Sequence, residues 1–263
     1  TRDPGRMAHG IFGSGVLDRV ARPGSLSFTL DNSARNSGSV LGYYSPGHAN
    51  VRTGFTYGTR VRLKLTDGTN TRYKFVGKVT QIRPDPGARG PRGTACLAVD
   101  YLDEVAAFDA IELPLQENQR SDQLISTIVA LLPVAPVATS YDAGKDTYAL
   151  AFDDLGGDSR KALFLFQHVT QSELGFLYLR GDATAGETLR FENRHARATA
   201  TSAFTLDATA LEALDVPSSL DRLVNDVKVL VSPRKTDAAA TTILFSLDNT
   251  PAIAAGETIT LWG

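Results

Sequence analysis

Cysteine, methionine and tryptophan each occur once in the 263 residues, and histidine occurs four times. A single cysteine forms no intrachain disulfide and supplies no Cys-rich zinc site, so packing alone has to hold the fold. His9, His48, His168 and His195 never fall in H-x-x-x-H or H-E-x-x-H spacing, which excludes a zincin-type metal helix. Neither sign of charge dominates: 27 basic residues face 29 acidic ones, a formal net charge of −2, which argues against bulk electrostatic capture of nucleic acid. No apolar run reaches the length of a membrane span. The longest, 124–137 and 162–166, are short or broken by polar residues or proline. Residues 1–15 lack the apolar core of a signal peptide. What remains is 42% hydrophobic and 21% charged, an ordinary globular composition long enough for one large or two modest domains.

Catalytic motifs are missing as well. Neither G-x-x-x-x-G-K-[ST] nor G-x-G-x-x-G occurs, so no phosphate-binding glycine loop is present. Gly13-Ser14-Gly15 lacks the G-x-S-x-G frame of a nucleophile elbow and reads as a flexible turn. Cys96 sits in an alternating strand opposite Leu97 and Val99, as a small inert hydrophobe would. His168 reads as a packed or half-exposed helix residue and His195 as a solvated turn between Arg194 and Arg197. Two acidic clusters stand out. Asp100, Asp103 and Glu104 close a strand, while Asp153, Asp154 and Asp158 crowd a glycine loop without the D-x-D-x-D-G frame for calcium. The second cluster is better suited to turn formation and helix capping. No catalytic, cofactor-binding or metal residue is assigned, and no cofactor is expected.

Hydrophobic period then sets the organisation. Residues 1–23 form an irregular arm or short leading strand. Over 24–111 four strands each carry one clean apolar face. Leu26, Phe28 and Leu30 alternate in 25–33, Val61, Leu63 and Leu65 in 58–65, and strands at 73–82 and 94–102 follow. Together they predict a small antiparallel β-barrel or sandwich. Residues 112–200 predict an α/β unit. Ser121 caps a helix carrying Leu124, Ile125, Ile128, Leu131 and Leu132, stopped by Pro133. Ser159 caps a second, lined by Leu163, Phe166, Val169, Thr170 and Leu174 and ended by a left-handed Gly175. The strands 176–180 and 188–194 follow as a hairpin. The loop 83–93, with three arginines, three prolines and three glycines, reads as a solvated hairpin tip.

Residues 201–263 return to strands, and two stretches match earlier ones. SLSFTLDNS at 25–33 parallels TILFSLDNT at 242–250, and Gly58-Thr59-Arg60-Val61-Arg62-Leu63 parallels Gly256-Glu257-Thr258-Ile259-Thr260-Leu261. This predicts a duplicated β-barrel whose second copy, 201–263, is incomplete. The chain is accordingly expected to be part of a longer polypeptide that completes it. The overall expectation is an α+β protein, mainly β: one small antiparallel barrel, an inserted α/β unit and a partial second barrel.

These segments, taken in order, resemble a known family. They are Gly24 to Asn32, Ser45-Pro46, Val51-Arg52-x-Gly54, the Arg60-Val61-Arg62 strand, Phe75-Val76-Gly77-Lys78-Val79 and Val99-Asp100-Tyr101-Leu102-Asp103. Beyond them come FLYLR, TLRFENR and Asn225-Asp226-Val227-Lys228-Val229. The set is similar to the minor tail proteins that form the tail-tip or baseplate hub of long-tailed bacteriophages. The resemblance implies a non-enzymatic virion component: a homotrimer in which each chain gives two related β-barrels to a ring of pseudo-sixfold symmetry. Such a ring joins the sixfold tail to a threefold tip. Implied partners are other copies of the chain, distal tail and tail-tube proteins, the tape-measure protein and tip or receptor-binding proteins, with DNA passing through the lumen unbound. A long loop at 83–93 departs from the family pattern. Two rival functions stay open on the residues. One is a host-carbohydrate-binding β-module with Tyr43, Tyr44, Phe55 and Tyr57 as an aromatic platform, and the other a glycan hydrolase using unidentified carboxylates.

Overall fold

The computed structural model describes residues 3–13, 15, 17–87, 92–110, 113–152, 160–182 and 186–202, together with Lys228. The chain divides into two units, Thr1–Leu211 and Glu212–Gly263, and the described residues other than Lys228 belong to the first. The partial second barrel expected at 201–263, with its repeat, lies outside the described residues apart from Thr201, Ser202 and Lys228. The acidic loop with Asp153, Asp154 and Asp158, together with Ser159, lies outside them as well.

The protein is mainly β, as its alternation predicts. Its largest sheet contains β1 (Asp3–Gly10), β2 (Arg22–Asp31), β3 (Arg60–Thr66), β4 (Thr71–Asp85) and β5 (Gly93–Val99), all antiparallel, in the order β1-β2-β5-β4-β3. The arm expected before residue 24 therefore contributes an edge strand, β1, paired along β2. Leu26, Phe75, Val79, Ile82 and Ala98 form the core on one face, with Phe28, Phe55, Val61 and Leu63 packed around it.

Two irregularities of the long strand β4 decide which side chains reach that core. Val79 and Ile82, three residues apart, would face opposite sides of a regular strand. The register jumps from Val79↔Ala98 to Gln81↔Leu97, an extra residue at Thr80, and both side chains are buried. A second jump, from Leu63↔Phe75 to Lys64↔Tyr73, interrupts the β3–β4 ladder. Beyond it Leu65 no longer follows Val61 and Leu63 inward and is 53% exposed, contrary to the expected alternation.

Downstream the chain builds α1 (Tyr101–Ala107), β6 (Asp109–Ala110), β7 (Gln116–Arg120), α2 (Ser121–Leu131), β8 (Ala138–Tyr141), β9 (Thr147–Ala151), β10 (Arg160–Lys161), α3 (Ala162–Glu173), β11 (Phe176–Gly181), β12 (Glu187–Glu192) and the short α4 (Ala196–Thr199). The strand expected over 94–102 ends at Val99, because Asp100 caps α1 by accepting the Leu102 amide at 3.0 Å. β11 and β12 form the expected hairpin, with Leu177 opposite Phe191 and Leu179 opposite Leu189, all four buried. β8 joins it in parallel alongside β12. Short ladders β7–β9 and β6–β10 complete the sheets.

The helices correct three capping expectations. Ser121 is the first residue of α2, not its cap. Arg120 occupies the cap, its amide donating to Gln123 Oε1 at 2.9 Å, while the Ser121 hydroxyl donates to Glu173 at 3.2 Å. Leu131 is exposed at the frayed end of α2 before Pro133. The cap of α3 is Lys161, because Arg160 and Lys161 are drawn into the β6–β10 ladder. The left-handed residue ending α3 is Leu174, at φ 56°. Gly175 serves a different need: a Cβ there would lie 2.5 Å from the Glu192 carbonyl oxygen.

A second core joins α1, α2, α3 and the β11–β12 hairpin through Leu102, Val105, Ile125, Ile128, Phe166 and Leu177, all buried. Each such side chain contributes roughly 1.5–3 kcal/mol by leaving water. Val20 and Ala21 enter the same core, and the chain around them clips onto β11. The Ala21 amide donates to Leu177 O at 2.8 Å and the Leu177 amide to Arg19 O at 3.0 Å.

Gly77 sets the tightest approach within the large sheet, where a Cβ would lie 2.2 Å from the Val99 carbonyl oxygen. Backbone cannot yield as a side chain can. We expect Gly77→Ala to destabilise the protein by about 2–4 kcal/mol. Urea denaturation followed by circular dichroism measures the change.

Candidate functional site

The first half of strand β4, paired with β3 but lying beyond the β5 pairing, meets the β11–β12 hairpin. The Tyr73 amide donates to Asp182 O at 2.9 Å, and Gly181 and Gly186 lie so close that a Cβ at either would strike Tyr73 O at 2.3 Å or the Val76 side chain at 2.6 Å. This contact places the first residue of β12, Glu187, beside the corner where β5 turns into α1. Between them is a cavity of about 240 Å³. Val76, Val99, Val137 and Leu179 give it apolar walls, and Asp100, Glu104, Glu187 and Lys78 give it charge.

Asp100 and Glu187 are each only 2% exposed. Asp100 Oδ1 is used by the helix cap, while Asp100 Oδ2 and Glu187 Oε1 are buried without a hydrogen-bond partner. Burial lifts the Asp100 carboxyl to about 6, against the backbone amides that pull it down. Glu187 rises further, to about 8: burial is the main cause, and the Asp100 carboxylate adds to it. Glu104 is paired on one side, its Oε1 with Lys78 Nζ at 2.5 Å, while among the described residues its buried Oε2 has no hydrogen-bond partner.

The other candidates are placed plainly. Cys96 is buried, and desolvation pushes its thiol to about 11, away from the thiolate a nucleophile needs. His168 is exposed and stacks on Phe164, with ring centres 4.1 Å apart. His195 is exposed, with its amide donating to Asn193 Oδ1. His48 accepts the Asn50 amide within its loop. His9 is half-buried on β1; burial first and the Lys74 charge second lower its pKa. Gly15 forms a turn with Asp18, and Arg83 and Arg92 flank the hairpin tip fully exposed.

The four aromatic residues do not make a platform. Tyr44 is buried, sits edge-on to Tyr43 at 5.0 Å and to Phe55 at 5.3 Å, and its hydroxyl pairs with Ser37. Phe55 packs against the first core, and Tyr57 alone is well exposed, at 60%. Tyr43, Tyr44 and Phe55 act as the internal core of the 32–58 loop. Among the described residues, no group of three or more His, Cys, Asp or Glu side chains is arranged to hold a metal ion.

No family model matches the sequence, and no curated protein matches it. Among solved structures, similarity is found to the E. coli c3393 protein, described as a type VI secretion system component with structural similarity to the T4 bacteriophage tail proteins gp27 and gp5. The identity is 14%, the TM-score 0.40, and the match covers 65% of this chain and 42% of that one. A tail protein from Neisseria meningitidis MC58 matches at 14% identity and a TM-score of 0.41, over 64% of this chain and 42% of that one. The 43 kDa tail protein of prophage MuSo2 from Shewanella oneidensis matches at 10% identity and a TM-score of 0.36, over 65% and 44%. The chain thus matches less than half the length of each.

Sequence reasoning picked out Asp100 and Glu104 only as acids closing a strand, and passed over Glu187 altogether. The available signal was the position of Glu187, directly after Gly186 and at the start of a strand whose Leu189 and Phe191 are buried, so it faces the same way as the core.

A stability profile tests this environment. Both folded pKa values lie above the ordinary 3.8 and 4.5 for Asp and Glu. The pair is therefore most favourable to folding below about pH 4 and loses that contribution as pH rises through about 6 and about 8. We expect the melting temperature to fall between these values. Glu187→Gln should flatten the fall and raise the melting temperature above pH 8 by roughly 4–8 °C. Differential scanning calorimetry across pH would show it, and an unchanged profile would remove the buried-acid account.

Proposed function

We propose that the chain is a structural protein of a long-tailed bacteriophage tail, part of the tail-tip or baseplate hub, and that it does no chemistry. The observation that carries this reading is how the segments of the resemblance are used. Gly24 to Asp31 lies in β2, Arg60-Val61-Arg62 opens β3, Phe75 to Val79 spans the centre of β4, and Val99-Asp100-Tyr101 is the β5–α1 corner. FLYLR and the TLRFE of the second motif are the β11–β12 hairpin. These segments share one scaffold, in the order in which the resemblance has them, while Asn225 to Val229 lies outside the described residues apart from Lys228.

The edges of the large sheet support an assembly role. Among the described residues β3 pairs only with β4, and Leu65 is exposed on it. A free strand edge next to exposed apolar surface is a site for pairing with another chain unless it is covered. A homotrimeric ring would cover it, with tail-tube and distal tail proteins above, tip or receptor-binding proteins below, and the tape-measure protein in the lumen. A net charge of −2 suits a channel that lets DNA pass without holding it. Among the described residues no helix is long and apolar enough to cross a membrane.

Light scattering on the full chain, and electron microscopy of the particle that carries it, test the proposal. We expect association into a trimer or ring, weakened at least tenfold by Leu65→Lys with the circular dichroism spectrum unchanged. A chain that stays monomeric at about 100 μM and binds polysaccharide would overturn it in favour of the carbohydrate-binding reading.

A further inference from the structure

The cavity beside β4 is unusual in what it buries. Two carboxyls from distant parts of the chain, Asp100 and Glu187, line it at 2% exposure, and among the described residues each keeps one oxygen without a hydrogen-bond partner. Buried polar atoms are ordinarily paired, and an ionised carboxylate only accepts hydrogen bonds. Among the described residues no lysine or arginine forms an ion pair with either, since Lys78 is held by Glu104 at the more open side. The charged groups around the pair are Lys78 from β4, Glu104 and Asp103 from α1, Arg60 from β3 and, across Gly24, His9 from β1. The walls between are apolar: Val76, Val99, Val137 and Leu179.

We infer that this cavity is a receptor for an organic cation, a guanidinium or primary ammonium group carried on an apolar stem. The stem lies along the valine and leucine walls, and the charged end donates to the free oxygens of Asp100 and Glu187. A planar guanidinium fits best, because its fork of N–H donors engages two carboxylates at once. A bare metal ion fits poorly, because no third acidic or imidazole ligand is grouped with the pair among the described residues. A bound cation favours the ionised carboxyls, so binding expels the protons they hold and strengthens as pH rises. The same chemistry is available from a free alkyl cation or from an arginine or lysine side chain of a neighbouring protein. The inference does not depend on the assembly role.

Titration of the full chain with n-butylguanidinium by isothermal calorimetry tests it. Measurement in two buffers of different ionisation enthalpy counts the protons released. We expect saturable millimolar binding that strengthens from about pH 6 to about pH 8, proton release on binding within that window, and at least tenfold weaker binding by Glu187→Gln. The uncharged isostere n-butylurea should not bind. Failure to saturate, equal binding of n-butylurea, or undiminished binding by Glu187→Gln overturns the inference. If that variant does not fold, the unmodified chain decides: binding without proton release between about pH 6 and about pH 8 also overturns it. The peptide acetyl-Gly-Arg-Gly-amide separates the sources. Tighter binding than n-butylguanidinium assigns the site to a protein side chain, and weaker binding assigns it to a free cation. Light scattering in the same samples reports assembly independently, so failure of one reading leaves the other intact.

Discussion

Backbone meets backbone where the turn of the β11–β12 hairpin lies against β4, and the rest of the described structure is arranged around that contact. It is possible only because positions 181 and 186 have no side chain: a methyl group at either would overlap Tyr73 O or the side chain of Val76. Once the Tyr73 amide bonds Asp182 O, the direction of the hairpin relative to the large sheet is fixed. The clip of residues 19–21 onto β11 then secures the hairpin from the opposite direction, since the same chain runs straight on into β2. β11 and β12 are thus tied to the large sheet twice, through β4 and through the strand that precedes its centre. Hydrophobic burial supplies the energy on either side of these ties, but it is non-directional and does not set the geometry. Glycine and the backbone hydrogen bonds do.

The buried acids follow from this geometry. Glu187 follows the glycine that allows the close approach, so its side chain is carried into the junction along with the backbone. Asp100 is needed where β5 ends, because its Oδ1 takes the Leu102 amide and starts α1. Each acid is present for a local reason or has its place set by one, and the junction brings them together. Their mutual repulsion and loss of water are costs that a purely structural role does not require. A Gln at 187 would keep the shape without the charge, and Asn is as good a helix cap as Asp. That difference is why the pair reads as a site and not as packing.

Elements whose residues answer to local physics were legible in the sequence. The alternation of Leu26, Phe28 and Leu30, the periodicity of Leu124, Ile125 and Ile128, and the facing rows of β11 and β12 each follow from one face being buried. What was hidden depended on partners far along the chain. Ser121 looks like a cap, and becomes a donor to Glu173 only because α3 passes beside it. Leu174 takes the left-handed conformation because Gly175 is already committed to a close approach to Glu192. Leu65 is exposed near the end of β3, beyond the register shift of the β3–β4 ladder, and no property of residues 60–66 signals this. The short strand β8 has no alternation of its own, and its place is set by β12. The pairing of Asp100 with Glu187 was the least visible of all, since it is created by the junction.

The 32–58 loop shows how the same logic bears on function. Its aromatic residues are spaced as a binding surface would be, yet Tyr44 turns inward, with Asn32 holding its backbone amide through Oδ1 at 2.8 Å and the Thr94 hydroxyl holding its carbonyl. Asn32 also donates to Ser45, and Asn36 secures the loop further along through Val40 O. A loop fixed by buried asparagines at one end and an edge-to-face aromatic cluster at its centre is too ordered to be a linker. Of its four aromatic residues Tyr57 alone is well exposed. Under the proposed assembly role, rigidity of this kind would let the loop present a constant shape to neighbouring subunits.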